Sequence, residues 1–206
     1  ISMKYLKLRY RLLPYIYTQA VHCTQTGVPM ARPMVLEFQN DPTTRHVDLQ
    51  YMFGDSFLVA PVLTRDGQTE VYLPAGIWVD YWSKEPISGP QWISQVVPLE
   101  TLPLWVRGGA IIPMGPEMDY VNQKGMDPLT LEFYGFEENG SITIADEDAP
   151  EIDVSYQKTA KQVIIQIGKT PGKVELVVFR QKIKAAFVKS ESLDVQQSAV
   201  SSIVML

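Results

Sequence analysis

Arg32 and Glu37 are the charged side chains set in an otherwise apolar stretch, Pro29–Phe38, PMARPMVLEF. A charge inside an apolar run must be paired or must serve a site, because burying it alone is costly. Arg32 is expected to form a buried ion pair or to reach a backbone carbonyl. The rival expectation is that Arg32 or Glu37 touches the rim of an active site. A second set is aromatic: Trp78, Tyr81, Trp82, Trp92 and Trp105. Indole rings exposed on one face could form a platform for a sugar ring, with Trp78, Trp82 and Trp92 as the candidates. Trp78 and Trp82 are four apart on an expected strand and so share a face. The plainer role for these rings is core between two sheets.

Other clusters promise less chemistry. Asp146-Glu147-Asp148 with Asp153 could offer oxygen ligands to Ca²⁺, but the spacing fits no binding loop and Pro150 interrupts it, so a solvated acidic turn is expected. His22, Cys23 and His46 lack the paired spacing of zinc sites. Neither a metal nor a cofactor is therefore expected. Asn139-Gly140-Ser141 is a glycosylation sequon, meaningful only in a eukaryotic secreted protein.

The elements that must position these residues follow from composition and pattern. The chain has 206 residues, 46% hydrophobic and 20% charged, with a formal net charge of −5. That balance fits one or two globular domains. It argues against a nucleic-acid partner and against binding to an anionic membrane surface. No apolar run reaches the roughly 18–20 residues of a membrane span. A single cysteine, Cys23, excludes an internal disulfide framework and leaves the compartment open. Ile1 in place of a start methionine, and the lack of a signal-peptide pattern, lead to the expectation of a piece of a longer protein.

Lys4–Thr26 reads as a largely buried helix, with Leu6, Tyr10, Leu13 and Tyr17 on one stripe, a kink at Pro14 and a C-terminal stop at Gly27. Pro29–Phe38 reads as a short strand. A short helix over residues 43–54, capped by Asp41 or Thr43, would follow. This helix–strand–helix run suggests the tail of a parallel α/β domain. From there strands and turns dominate. Asp66-Gly67 and Pro74-Ala75-Gly76 supply turns, and Gly108-Gly109 a tight bend. Glu138-Asn139-Gly140 is the strongest hairpin signal. Ser141–Ala145, Glu151–Gln157, Gln162–Gly168 and Lys173–Phe179 are evenly spaced strands, as in a sandwich, with Pro171-Gly172 as a turn and one or two strands after residue 185.

Several stretches together resemble glycoside hydrolase family 31, a family of retaining α-glucosidases and α-xylosidases. They include Leu8-Arg9-Tyr10-Arg11-Leu12-Leu13-Pro14-Tyr15-Ile16-Tyr17, Arg32-Pro33, Glu37-Phe38, Leu58-Val59-Ala60-Pro61-Val62, Gly76-Ile77-Trp78 and Leu102-Pro103-Leu104-Trp105-Val106-Arg107. Gln50-Tyr51-Met52-Phe53-Gly54 and Asp119-Tyr120-Val121 are most similar to the α-xylosidase branch. The resemblance is dense over roughly residues 4–115. It implies a mainly β chain: residues 1–54 as the last α-β-α elements of a (β/α)8 barrel, 55–127 as a proximal C-terminal β-sandwich and 128–206 as a distal one. Glu37 would then lie at the C-terminal end of the final barrel strand, the face on which barrels carry their active sites.

The family's mechanism uses two carboxyl groups about 5–5.5 Å apart, one as nucleophile and one as acid/base. The resemblance places both upstream of Ile1, so no catalytic residue is expected here. It implies a parent enzyme acting on an oligosaccharide, in which this piece is structural and inactive alone. The partner would be the missing N-terminal part of the barrel, and a homo-oligomer is compatible. Rival readings are a freestanding carbohydrate-binding β module and a pure scaffold.

Overall fold

A computed structural model describes residues 1–206 apart from 122, 148, 159–162, 169–172, 180–186, 189–190, 193–195, 198–200 and 206. Two helices open the chain, α1 (Ser2–Arg11) and α2 (Leu13–Thr26). The break falls beside Pro14, the second residue of α2, where a missing N–H costs nothing because first-turn donors have no partner inside the helix. Gly27 ends α2 at φ +75°, its N–H donating to Cys23 O at 2.9 Å. The buried face differs from expectation. No residue of α1 is buried, Leu6 is 49% exposed, and α2 buries Pro14, Tyr15, Thr18 and Gln19 rather than a Leu13–Tyr17 stripe. The break between the helices resets the phase of the stripe, and of the apolar side chains of α1 Tyr5, Leu8 and Tyr10 are half-buried while Met3 and Leu6 are exposed.

The chain forms two compact units, one of residues 23–108 and the other of residues 1–22 with 109–206. In the 23–108 unit a six-stranded sheet is built from β1 (Ala31–Pro33), β2 (Tyr51–Phe53), β3 (Phe57–Val59), β4 (Gln68–Asp80), β5 (Pro86–Val96) and β6 (Leu104–Arg107). The order is β1-β2-β3-β6-β4-β5, with every neighbouring pair antiparallel. Met34, Met52, Leu58, Val71, Leu73, Trp78 and Trp105 form its core.

Three local expectations change in this unit. Pro29–Phe38 is not one strand: β1 stops at Pro33 and one helical turn, α3 (Met34–Glu37), follows. Pro33 has no N–H to extend a ladder, and its φ of −64° suits a helix start. The expected helix over 43–54 shrinks to a 3₁₀ turn, Pro42–His46, whose cap is Asp41 as foreseen. Residues 51–53 pair as β2 instead, a tertiary contact overriding local pattern. Pro74-Ala75-Gly76 does not turn the chain; it forms a bulge within the continuous strand β4, where the register with β5 shifts between Leu73 and Gly76. Asp66-Gly67 does turn, with Gly67 at φ +77°.

At Leu73 and before, β4 lacks a strand neighbour opposite β5. The Gln50 side chain fills that role: its amide donates to Tyr72 O at 2.7 Å and accepts from Tyr72 N at 2.8 Å. A buried backbone pair is thereby satisfied by one side chain.

The other unit is a sandwich. Its strands are β7 (Ile111–Met114), β8 (Leu129–Phe133), β9 (Asn139–Ile144), β10 (Ile152–Lys158), β11 (Val163–Ile167), β12 (Val174–Phe179), β13 (Phe187–Val188), β14 (Glu191–Ser192), β15 (Gln196–Gln197) and β16 (Ser201–Met205). Two five-stranded sheets result, β14-β13-β11-β10-β9 and β15-β16-β12-β8-β7. Alternate residues from both fill one core: Leu129, Leu131 and Phe133 from one sheet, Ile152, Val154, Tyr156, Ile165 and Ile167 from the other. Gly109, at φ +90°, supplies the expected bend before β7. Asn139-Gly140 is not a hairpin turn. It starts β9, paired with Gln157 and Tyr156 of β10. Gly140 is needed for close approach, since a Cβ there would lie 2.2 Å from Gly109 O and 2.5 Å from the Tyr156 ring. Within this unit Thr18 ties helix to sheet, its Oγ1 donating to Pro14 O at 2.8 Å and accepting from Ala145 N at 3.1 Å. The Pro171-Gly172 turn and Asp148 lie outside the described residues. Among the described residues no helix is long and apolar enough to cross a membrane.

Candidate functional site

The alternation of β1, exposed–buried–exposed, turns Arg32 inward, where it is 4% exposed. The α3 turn after Pro33 folds Glu37 back beneath it. Arg32 Nε and Nη2 donate to Glu37 Oε2 at 2.8 and 2.7 Å. Arg32 Nη2 also donates to Asp55 Oδ1 at 2.8 Å, and Nη1 to Pro29 O at 3.3 Å. Asp55 is placed by the tight β2–β3 connection, in which Gly54 adopts φ +63° and donates to Met30 O at 2.8 Å.

The second oxygen of Glu37 accepts from Arg107 Nη2 at 2.7 Å. Arg107 closes β6, and its guanidinium lies over the rings of Phe38 and Trp78, at 5.3 and 5.7 Å. Phe38 meets Trp78 edge-on at 6.2 Å between centroids. Two guanidinium groups and two carboxylates thus tie β1, α3, the β2–β3 connection and β6 into one cluster.

Burial by itself would raise the Glu37 carboxyl, but hydrogen bonds from Arg107 and Arg32 outweigh it and hold Glu37 below its ordinary 4.5. Burial likewise opposes charge on Arg32, and the bonds to Asp55 and Glu37 prevail, raising it. A carboxyl in this state holds no proton to donate near neutral pH, and its oxygens are engaged by donors. Both conditions disfavour acid/base or nucleophilic work.

The depressed carboxyl has a consequence for stability. A group whose folded-state value lies below its unfolded one contributes fully above the unfolded value and loses that contribution as pH falls through the folded one. Unfolding followed from pH 7 downward should therefore lose stability below about pH 4.5. In Glu37→Gln that part of the pH dependence should be missing, as read from urea midpoints at each pH. Identical profiles for the two proteins would count against the assignment.

The structure brings Arg32 and Glu37 together and separates the tryptophans. Trp78 is 1% exposed, its indole N–H bonded to Pro74 O at 2.9 Å, so it offers no ring face to a sugar. Trp82 is partly buried and bonds Leu102 O at 2.7 Å. Trp105 is core. Trp92 stands apart at 52% exposed. Sequence reasoning missed Asp55 and Arg107. Alternation along Leu104–Arg107 sets Arg107 on the face of Trp105, the one signal available for it. Among the described residues no group of three or more His, Cys, Asp or Glu could hold a metal ion.

Comparison with known proteins bears on this geometry. Residues 27–112, which hold the whole cluster, match the model of the glycosyl hydrolase family 31 C-terminal domain. The chain is 35% identical over 184 residues to an alpha-xylosidase of Saccharolobus solfataricus, covering 88% of this chain and 25% of the relative. It is 37% identical over 116 residues to alpha-glucosidase 2 of Bacillus thermoamyloliquefaciens, covering 56% of this chain and 15% of the relative. Among solved structures, a family 31 dextranase of Flavobacterium johnsoniae, complexed with glucose, superposes with a TM-score of 0.90 at 26% identity, over 98% of this chain and 30% of that one. The chain thus spans about a quarter of the length of the first of these relatives. With the mainly β fold, these likenesses assign residues 27–112 to the glycoside hydrolase family 31 C-terminal domain and support the rest of the chain as part of that family.

Proposed function

We propose that the chain is the C-terminal part of a retaining α-glycosidase acting on terminal α-xylosides or α-glucosides, and that this part is structural and inactive alone. The observation that carries the proposal is the match of 88% of this chain to an alpha-xylosidase, together with the match of residues 27–112 to the family 31 C-terminal domain. The opening helices and the α3 turn would belong to the end of a (β/α)8 barrel, the six-stranded sheet would be the proximal C-terminal domain, and the sandwich of β7–β16 the distal one. The nucleophile and acid/base would come from the rest of the barrel. Glu37 suits a supporting role, since two arginines occupy its oxygens. Met3 and Leu6 of α1, and Val35 and Leu36 of α3, are exposed in this chain. Uncovered apolar side chains of this kind suit packing against the remainder of a barrel.

The test compares the protein encoded by the whole reading frame with this chain alone, on aryl α-xyloside and aryl α-glucoside. The whole protein should release the aryl group with retention of anomeric configuration, the α-xyloside or the α-glucoside being favoured, and this chain should release none. Hydrolysis by the chain alone, or none by the whole protein on either substrate, would overturn the proposal.

A further inference from the structure

One face of the β4–β5 ribbon carries cross-strand pairs Tyr72–Trp92, Glu70–Ser94 and Gln68–Val96, with Tyr72 buried and Trp92, Glu70 and Val96 exposed. This face floors a groove of about 580 Å³ in the 23–108 unit, walled by residues 46–50 and by Pro61, Leu63 and Thr64. We infer that this groove is a non-catalytic binding site for a neutral saccharide, with Trp92 as the stacking platform.

Three observations carry the inference. First, Trp92 is 52% exposed, yet its ring is braced: Tyr72 packs against it at 5.2 Å between centroids, tilted 46°. Tyr72 is itself fixed by its hydroxyl donating to Asp41 Oδ2 at 2.6 Å and by the Gln50 amide on its backbone. A large ring held on a rigid base loses little freedom when a ligand stacks on it. Second, the polar neighbours are of the kind that hydrogen-bond hydroxyl groups. Glu70 accepts from Ser94 Oγ at 3.2 Å, and Gln68, on the same face of the ribbon, lines the same groove. One apolar ring beside a few convergent polar groups matches a pyranose, which has an apolar C–H face and a rim of hydroxyls. Third, among the described residues no Lys or Arg lines the groove, whereas Asp48 and Glu70 do, beside His46. A phosphorylated or carboxylated ligand would meet repulsion there, so the fitting occupant is uncharged.

The site does not depend on hydrolysis, and its readout is binding. The whole protein should be retarded in a native gel containing dextran or xyloglucan, relative to the same gel without polysaccharide. Trp92→Ala should weaken retardation by about tenfold or more in apparent affinity, the usual scale for truncating an aromatic anchor. Trp92→Tyr, which keeps a ring, should restore part of it, and Gln68→Ala should weaken it less. An unretarded wild-type protein would overturn the inference. So would a fall in thermal midpoint or a change of oligomeric state in Trp92→Ala, either of which would mean that protein covers the ring. Failure of aryl glycoside hydrolysis leaves this readout intact, so the two proposals fail separately.

Discussion

Glu37→Gln should lower the stability of the 23–108 unit by about 3 kcal/mol, near the lower end of the range for removing one partner of a buried ion pair. The substitution keeps the shape and removes the charge. Glu37 now accepts three donor contacts, two from Arg32 at 2.8 and 2.7 Å and one from Arg107 at 2.7 Å. An amide has one acceptor oxygen, so its NH₂ must face a guanidinium whichever way it is turned. Arg32 keeps Asp55 at 2.8 Å, which is why the loss stays below the top of the range. Arg107 keeps only ring contacts with Phe38 and Trp78 in place of its carboxylate. Trp78 lies against the cluster, so its fluorescence in urea unfolding reads the event directly. A loss under about 1 kcal/mol would place these charges with solvent-screened surface pairs, whose worth is of that size. Replacing Arg32 and Glu37 together with Met and Leu should cost less than Glu37→Gln alone, because the two charges then left without partners, Asp55 and Arg107, have the most exposed side chains of the cluster, at 45% and 37%, and water can solvate them.

The parts of this molecule that were legible in the sequence rest on local rules. The break at Pro14 follows from a missing donor, and the stop at Gly27 from a left-handed φ of +75°. Strands β10 and β11 announce themselves by alternation: Ile152, Val154 and Tyr156 on one, Val163, Ile165 and Ile167 on the other, all buried. The misread parts are decided by partners far along the chain. Residues 51–53 are a strand because β3 pairs with them. Asn139-Gly140 has the composition of a turn, yet Gly140 is required by the approach of Tyr156 and Gly109. The candidate site divides the same way. Arg32 and Glu37, five apart, could be singled out as charges in an apolar run. Asp55 lies 23 positions from Arg32, and Arg107 lies 70 from Glu37, beyond the reach of any local pattern.

Gly89→Ala should be at least as damaging, at about 3 kcal/mol or more, because the methyl group would be driven into backbone. Gly89 sits opposite Gly76, where β4 resumes its pairing after the bulge. A Cβ there would lie 1.9 Å from Pro74 O, 2.6 Å from Leu73 O and 2.8 Å from Pro74 C. None of these atoms can rotate away as a side chain would. Relief requires separating the strands, which would take with it the pairing of Ile77 with Ser88 and of Trp78 with Ile87. Moving Pro74 would also break the bond from its carbonyl to the Trp78 indole N–H, 2.9 Å long, which anchors one of the two tryptophans of that core. The residues read from sequence as a turn are thus held in the strand by a glycine on the strand opposite. The control is Gly125→Ala, where a Cβ meets nothing within 4 Å and φ is not in the left-handed region, so its effect should stay within about 0.5 kcal/mol. Thermal and urea unfolding of both variants decide the matter. Equal, small losses would mean that the β4–β5 ribbon opens freely at the bulge, and the close approach of its two backbones would then carry no stability.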